Sequence, residues 1–133
     1  MAGLAENWAP RMLSILRIVT ALLFIQHGAQ KLLGFPSAPA NGLPEMLTLP
    51  WWQGIIELVG GALLLLGLFT RLTAFILAGD MAVAYWWIHA PRNYYYPILN
   101  GGDLAILFCF IFLYIACAGP GPWSLDGSVR RKS

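Results

Sequence analysis

The sequence predicts an all-α integral membrane protein, an antiparallel bundle of four transmembrane helices. Of its 133 residues, 59% are hydrophobic and only 11% are charged, whereas about a quarter of the residues of a soluble domain are charged. The mean hydropathy is +0.67, and the apolar residues fall into four long runs. So few polar side chains could not cover a protein surface in water, so we expect lipid to surround most of this one.

Each apolar run has about the 20 residues needed to cross roughly 30 Å of hydrocarbon at 1.5 Å per residue. The runs cover residues 12–33, 51–69, 72–90 and 99–118, and a tail follows over 119–133. Proline and glycine interrupt the chain between most of them. Only Thr70 and Arg71 separate the second run from the third, which predicts a tight antiparallel hairpin within a single domain.

The basic residues predict the orientation of the bundle. Four spans place both termini and the 70–71 turn on one side of the membrane. That side collects most of the cations: Arg11, Arg17, Arg71, Arg130, Arg131 and Lys132. Lys31 and Arg92 lie on the other side, so both termini are expected in the cytoplasm. Apart from the last three, the basic residues are scattered, and this pattern argues against nucleic acid as a partner.

Seven ionisable side chains within the predicted spans carry the functional prediction: Arg17, His27, Lys31, Glu57, Asp80, His89 and Asp103. Each is costly in hydrocarbon, so we expect these groups to face one another, and intramembrane charges commonly mark functional sites. The predicted polar pocket contains five of them: His27, Lys31, Glu57, Asp80 and Asp103. Arg17 and Arg71 are expected to form supporting ion pairs. The alternative is that the charges only fix helix packing.

Depth and helical angle predict which of these groups meet. Counted from the outer helix ends, Lys31, His27 and Glu57 lie at about one level, and Asp103 shares it. Glu57 shares a helix face with two glycines that would let another helix approach closely. We therefore expect Lys31 or His27 to contact Glu57.

Two further contacts are predicted from the same geometry. Asp80 lies near mid-membrane on the third helix, and we expect Arg17 to pair with it from the first. On the fourth helix the inward face is predicted to carry Asp103 together with Leu107, Phe110, Tyr114 and Cys117.

Several kinds of chemistry find little support. His27 and His89 could in principle ligate a haem, but His89 is predicted to point about 180° away from Asp80. The Glu-x-x-His spacing of di-metal bundles is absent, and so are nucleotide-binding loops and a defensible Ser-His-Asp arrangement. We therefore expect no metal and no autonomous enzyme. A quinone, a lipid headgroup or an anion could occupy the pocket.

Three stretches resemble the DoxX family of small four-helix membrane proteins. They are RIVTALLFIQHGAQKLLGF, ELVGGALLLLGLFTRLTAFIL and NGGDLAILFCFIFLYIACAGPGPWSLDG, of which the third is the most specific. Together they cover most of residues 17–127. Glu57, Arg71, Asp103 and the basic group of the first helix match the family pattern, although many relatives have Glu where this chain has Asp103.

The resemblance implies a multi-pass protein of the bacterial inner membrane that is associated with oxidoreductases. Some relatives resemble the DoxD subunit of a thiosulfate:quinone oxidoreductase, and others are linked to redox-stress complexes with soluble partner enzymes. No cofactor follows with certainty, and quinone is a possible one.

Three functions therefore remain open. The first is a membrane subunit that assists a redox or stress-linked complex, with quinone or lipid in its pocket and another protein subunit docked to it. The second is a structural or accessory subunit that packs against a larger membrane assembly. The third is a small proton-coupled carrier, which the lack of inverted repeats disfavours.

Overall fold

A computed structural model describes residues 2–35, 37 and 42–132, with side chains described as far as residue 128. Every regular element within these residues is helical, which confirms the all-α class. The helices are α1 (Ala2–Leu33), α2 (Leu49–Leu66), α3 (Thr70–Ala84), α4 (Pro97–Asn100), α5 (Asp103–Ala118) and α6 (Leu125–Lys132). The predicted basic cluster at 130–132 lies outside the described side chains.

Three helical segments are long and apolar enough to cross a membrane within the described part of the chain. They are α1, α2 and the continuous helical stretch Thr70–Arg92. The fourth predicted span is divided, because Gly101 adopts φ 72° and ends the single turn of α4. The remaining helix α5 has 16 residues and is therefore about 24 Å long.

Helix α1 begins ten residues earlier than predicted and includes Pro10. Residues 3–12 are all exposed, so the first turns of α1 extend beyond the rest of the bundle. The prediction began the helix at residue 12 because only the continuous apolar run was counted, whereas the helix also includes the mixed polar and apolar stretch before it.

The hairpin between α2 and α3 is tight, as predicted, but its turn lies at residues 67–69 and not at Thr70–Arg71. Gly67 has φ 70° and donates its N–H to the carbonyl of Leu64. The N–H of Leu68 bonds to the carbonyl of Leu63 at 3.0 Å. This pair of bonds is a Schellman motif, in which glycine accepts the left-handed conformation at low cost.

The helices pack in two pairs, α1 with α2 and α3 with α5, and α2 joins the pairs by its contact with α3. Phe24 lies at the centre of the core, with ring centroids 5.4 Å from Phe108 and 4.9 Å from Phe112. Both contacts are edge-on, the arrangement that aromatic rings favour. This aromatic cluster connects α1 to α5.

Helices α1 and α2 approach each other closely because glycines line their contact. The sequence predicted such glycines on the face of α2 that carries Glu57. A Cβ at Gly54 would lie 2.8 Å from the Leu32 Cγ, and one at Gly61 would lie 2.5 Å from the Ile25 Cγ1. From the other side, a Cβ at Gly28 would lie 2.8 Å from the backbone nitrogen of Leu58. The two backbones are therefore close enough for short polar contacts between their side chains.

Candidate functional site

Lys31 and Glu57 form an ion pair between α1 and α2. The Nζ of Lys31 lies 2.7 Å from the Oε2 of Glu57. The Glu57 side chain is 0% exposed and that of Lys31 is 27% exposed, so the pair lies at the edge of the bundle interior. The predicted contact between the basic group of α1 and Glu57 is confirmed for Lys31.

A cavity of about 550 Å³ opens beside this pair, where α1 and the Thr70–Arg92 stretch end and α2 and α5 begin. Its basic wall consists of His27, Lys31, His89 and Arg92, and Glu57 also reaches it. Its apolar wall consists of Met81, Ala84, Ile88, Leu104, Ala105 and Phe108. Such a volume with few polar groups is usual for a small-molecule site.

Both histidines line this cavity, including His89, which was not among the predicted pocket residues. Residues Tyr85–His89 form a π-helical turn after α3, and its wider i→i+5 spacing changes the direction of the side chains that follow. His89 Nδ1 lies 3.2 Å from the carbonyl oxygen of Asn100. His27 contacts Phe108 edge-on with ring centroids 5.8 Å apart.

Asp80 lies behind Glu57, away from the cavity wall. It is 8% exposed, and it interacts electrostatically with Glu57, Lys31 and Gln53. Asp80 was predicted to line the polar pocket together with Lys31 and Glu57, but it does not reach the cavity, and its predicted partner Arg17 lies elsewhere.

Arg17 binds backbone carbonyls at the opposite end of the bundle, so the predicted Arg17–Asp80 pair is wrong. Its guanidinium donates to the carbonyl of Pro120, to that of Trp123 at 2.7 Å and to that of Leu65 at 3.5 Å. The side chain is 1% exposed. Carbonyls at helix ends and in loops lack intrahelical donors, and a buried guanidinium satisfies several of them at once.

We call residues 119–127 the C-terminal closure, because they link α1 to the α2–α3 hairpin. The Asp126 carboxylate accepts N–H groups of Phe69 at 3.0 Å and Thr70 at 2.9 Å. Its own N–H donates to the carbonyl of Gly67 at 2.9 Å. Ser14 of α1 accepts the Trp123 N–H at 3.1 Å. The closure thus supplies the N-terminal cap that α3 lacks from its own sequence.

Arg71 also binds carbonyls and does not support the cavity. Its guanidinium donates to the carbonyl of Ala116 at 3.2 Å and to that of Cys117. Both carbonyls lie in the last turn of α5, where a cation is favoured by the helix dipole. The predicted role of Arg71 in an ion pair is therefore replaced by one in capping a helix.

Asp103 is exposed at the first turn of α5 and lies outside the cavity, contrary to the prediction. The buried residues of α5 are Ala105, Phe108, Phe112 and Ile115. The predicted inward residues Leu107, Phe110 and Tyr114 are exposed. The prediction assumed that an acid must face inward, whereas an acid at a helix N-terminus complements the dipole from the surface.

Asn100 has a structural role at the site that was not predicted from the sequence. It is buried, its Nδ2 donates to the carbonyl of Asn93 at 2.9 Å, and its Oδ1 accepts the N–H of Gly102 at 2.8 Å. These bonds fix the loop that brings His89 and Arg92 to the cavity. The Asn-Gly-Gly sequence was the available signal, because it marks a turn and not the interior of a long helix.

Metal ligation finds no support in this arrangement. Across the part of the chain that the structure describes, no group of three or more His, Cys, Asp and Glu side chains is placed to hold a metal ion. The described site is therefore an ion pair and a basic cavity wall within an apolar bundle.

Apolar helices around a buried ion pair define an integral membrane protein of the helical class. The family model described as DoxX matches residues 12–90. The chain belongs to the DoxX family, as its sequence resemblance predicted. The match includes Lys31 and Glu57 and ends before α5, so the third resembling stretch lies beyond it.

Two relatives are similar over nearly their whole lengths. An uncharacterized protein of Haemophilus influenzae is 43% identical over 134 residues, which cover 96% of this chain and 97% of that protein. An uncharacterized membrane protein of Mycobacterium tuberculosis is 29% identical over 163 residues, which cover 97% of this chain and 92% of that protein. No solved structure matches the chain.

Proposed function

We propose that this protein is a membrane subunit whose cavity binds the headgroup of a quinone and that it serves a redox or stress-linked partner complex. The observation that carries the proposal is the Lys31–Glu57 pair, 2.7 Å apart, at the wall of a cavity of about 550 Å³ within an apolar bundle. The family resemblance to quinone-linked proteins points in the same direction.

The chemistry of the cavity suits a quinone. Quinone carbonyls accept hydrogen bonds, and four nitrogen-bearing side chains line one wall: His27, Lys31, His89 and Arg92. The apolar wall, which includes Met81 and Phe108, suits the ring and an isoprenoid tail. A lipid headgroup that accepts hydrogen bonds could be held by the same groups.

In quinone reduction, this chain and a partner subunit have different roles. Reduction of a quinone to a quinol takes two electrons and two protons. We assign the binding of the ring and the exchange of protons to this chain, and the supply of electrons to a partner subunit with its own redox group. The protein thus assists a reaction and is not an autonomous enzyme.

The orientation is part of the proposal. Arg11, Arg17 and Arg71 lie toward the end of the bundle that carries both termini, and Lys31 and Arg92 lie toward the cavity end. Under the positive-inside rule both termini are cytoplasmic, in the inner membrane of a bacterial cell, and the cavity opens toward the outer face.

A second candidate, an accessory subunit that packs against a larger membrane assembly, has a specific observation in its favour. Near the cavity end, Trp86, Trp87 and the run Tyr94–Tyr96 are all exposed, Tyr95 to 87%. Aromatic residues are enriched in protein interfaces as well as at membrane surfaces.

Quinone extraction and titration test the first candidate. The protein is purified from bacterial membranes in mild detergent, the bound quinone is extracted with solvent and quantified, and a short-chain benzoquinone is titrated into the quinone-free protein. We expect about one quinone per chain. Lys31→Met should weaken the affinity about tenfold, since a hydrogen bond from a charged group is lost.

Arg11→Met is the matched control, because it also removes one positive charge but lies far from the cavity, next to Trp8. It should leave the affinity unchanged. Equal affinities for the two variants, or purified protein that neither retains nor binds quinone, would refute the quinone site. Stable partner polypeptides without quinone would favour the accessory role.

A further inference from the structure

Three buried side chains, Glu57 of the ion pair and two beside it, contain atoms that have no hydrogen-bond partner among the described residues. Gln53, Glu57 and Asp80 are 2%, 0% and 8% exposed. The unpartnered atoms are both side-chain amide atoms of Gln53, the Oε1 of Glu57 and the Oδ2 of Asp80. A buried polar atom without a partner costs about 1–3 kcal/mol, so such a cluster calls for an explanation.

The charges of this cluster do not balance when both acids are ionised. Lys31 is the cation that faces both carboxyl groups, and it contacts Glu57 directly. From α1 the other titratable group nearby is His27, and from the end of the Thr70–Arg92 stretch they are His89 and Arg92, all on the cavity wall. From α5 the residues on the cavity wall are Leu104, Ala105 and Phe108, which are apolar.

One ammonium can neutralise one carboxylate, so two ionised acids leave one excess negative charge inside an apolar bundle. An uncompensated buried charge is strongly destabilising. A single proton on the acid pair removes that charge. It also gives the unpartnered oxygens a hydrogen bond, because a protonated carboxyl group donates where a carboxylate can only accept.

We infer that Glu57 and Asp80 hold one exchangeable proton between them. Lys31 engages the Oε2 of Glu57, which leaves the Oε1 to share the proton with Asp80, and Gln53 also interacts with Asp80. Glu57 reaches the cavity and Asp80 does not, so Glu57 is the group that exchanges the proton with a bound molecule. The inference rests on the proposed function only for the identity of that molecule.

Infrared spectroscopy of the purified protein without added quinone tests this inference. A protonated carboxyl group gives a carbonyl stretching band that is separate from the carboxylate bands and shifts in D2O. At neutral pH we expect one such band from the cluster. Glu57→Gln and Asp80→Asn should each abolish it, because the remaining acid is then balanced by Lys31.

Lys31→Met gives the sharpest expectation. Without the ammonium, both acids need a proton to avoid buried charge, so the band should grow about twofold. Asp103→Asn is the matched control, because Asp103 is exposed and outside the cluster, and the band should not change. Circular dichroism and gel filtration show which variants fold, and any one of the three cluster variants that folds is sufficient for the test.

The absence of the band in the wild type would overturn the inference, as would a band that survives both Glu57→Gln and Asp80→Asn, or one that does not grow in folded Lys31→Met. A band that appears only when Na⁺ is withdrawn would also overturn it, because a metal cation would then be balancing the charge. Quinone content measured on the same samples separates the two proposals. A protein sample that contains quinone but lacks the infrared band would refute the shared proton and leave the quinone site standing. A sample that shows the band but neither contains nor binds quinone would refute the quinone site and leave the shared proton standing.

Discussion

Gly28→Ala tests whether the close packing of α1 on α2 sets the geometry of the site. The new Cβ would lie 2.8 Å from the backbone nitrogen of Leu58 and 3.1 Å from the Cβ of Glu57. Normal contact is about 3.5 Å, so the helices must separate by about 0.7 Å. Backbone atoms cannot rotate away as a side-chain end can, so the strain reaches Glu57 and its partner Lys31.

The expected change in the free energy of unfolding of Gly28→Ala follows from two opposing effects. Overpacking costs about 1–3 kcal/mol, and replacing a helical glycine by alanine returns about 1 kcal/mol of helix propensity. We expect a net loss of about 1 kcal/mol in the free energy of unfolding and weaker quinone binding. Gly79→Ala in α3 is the matched control, because nothing lies within 4 Å of its added Cβ. It should gain up to about 1 kcal/mol.

Unfolding in mixed micelles of a mild detergent and sodium dodecyl sulfate, followed by circular dichroism, measures both variants. The expected difference between them is about 2 kcal/mol, from the loss in one variant and the gain in the other. If Gly28→Ala proves as stable as Gly79→Ala, the α1–α2 contact is looser than the structure indicates. The explanation of the Lys31–Glu57 geometry would then be wrong.

Three further predictions concern the core and the C-terminal closure. Arg17→Met should lower the free energy of unfolding by about 3 kcal/mol or more, because hydrogen bonds from a charged group to backbone carbonyls are lost. The control Arg11→Met, at an exposed position, should change it by less than about 0.5 kcal/mol. Asp126→Ala should cost about 1–2 kcal/mol, since the cap of α3 is removed, and Asp126→Asn should restore part of that loss. Phe24→Ala should cost about 3–5 kcal/mol by leaving a cavity between α1 and α5, whereas truncation of the exposed Phe75 should cost far less.

The same unfolding measurement decides all three. If Arg17→Met is as stable as Arg11→Met, the carbonyls of the closure find other donors and Arg17 does not organise it. Equal stability of Asp126→Ala and the wild type would show that α3 needs no cap from the closure. A loss of less than about 1 kcal/mol for Phe24→Ala would mean that the core collapses around the missing ring.

Much of the fold was predictable because apolar runs and glycine positions are properties of the sequence alone. The helical class and the contact between Lys31 and Glu57 followed from composition and from depth along two regular helices. The hairpin was also predicted, although its turn was placed three residues late. Gly67 was the signal for the correct position, since glycine commonly ends a helix in the left-handed conformation.

The remaining parts of the site depend on contacts that local patterns do not contain. The Arg17–Asp80 prediction considered only charged partners, whereas Arg17 donates to backbone carbonyls, two of which lie more than 100 residues away. His89 lies in a π-helical turn that places it on the cavity, and no residue pattern in the sequence indicates such a turn. The prediction that Asp103 faces inward assumed that every acid in an apolar run must be buried among other polar groups.

The dependence of Arg17 on the closure has a consequence for biogenesis. When α1 first enters the membrane, the carbonyls of Pro120 and Trp123 have not yet been synthesised, so the guanidinium needs temporary hydration or a headgroup phosphate. Two of its three carbonyl partners become available only after the closure has been synthesised. A nascent chain that stops before residue 119 would therefore lack two of the three carbonyl partners of this cation. An incompletely bonded cation in the bilayer is a feature by which membrane quality-control proteases would distinguish it from the folded protein.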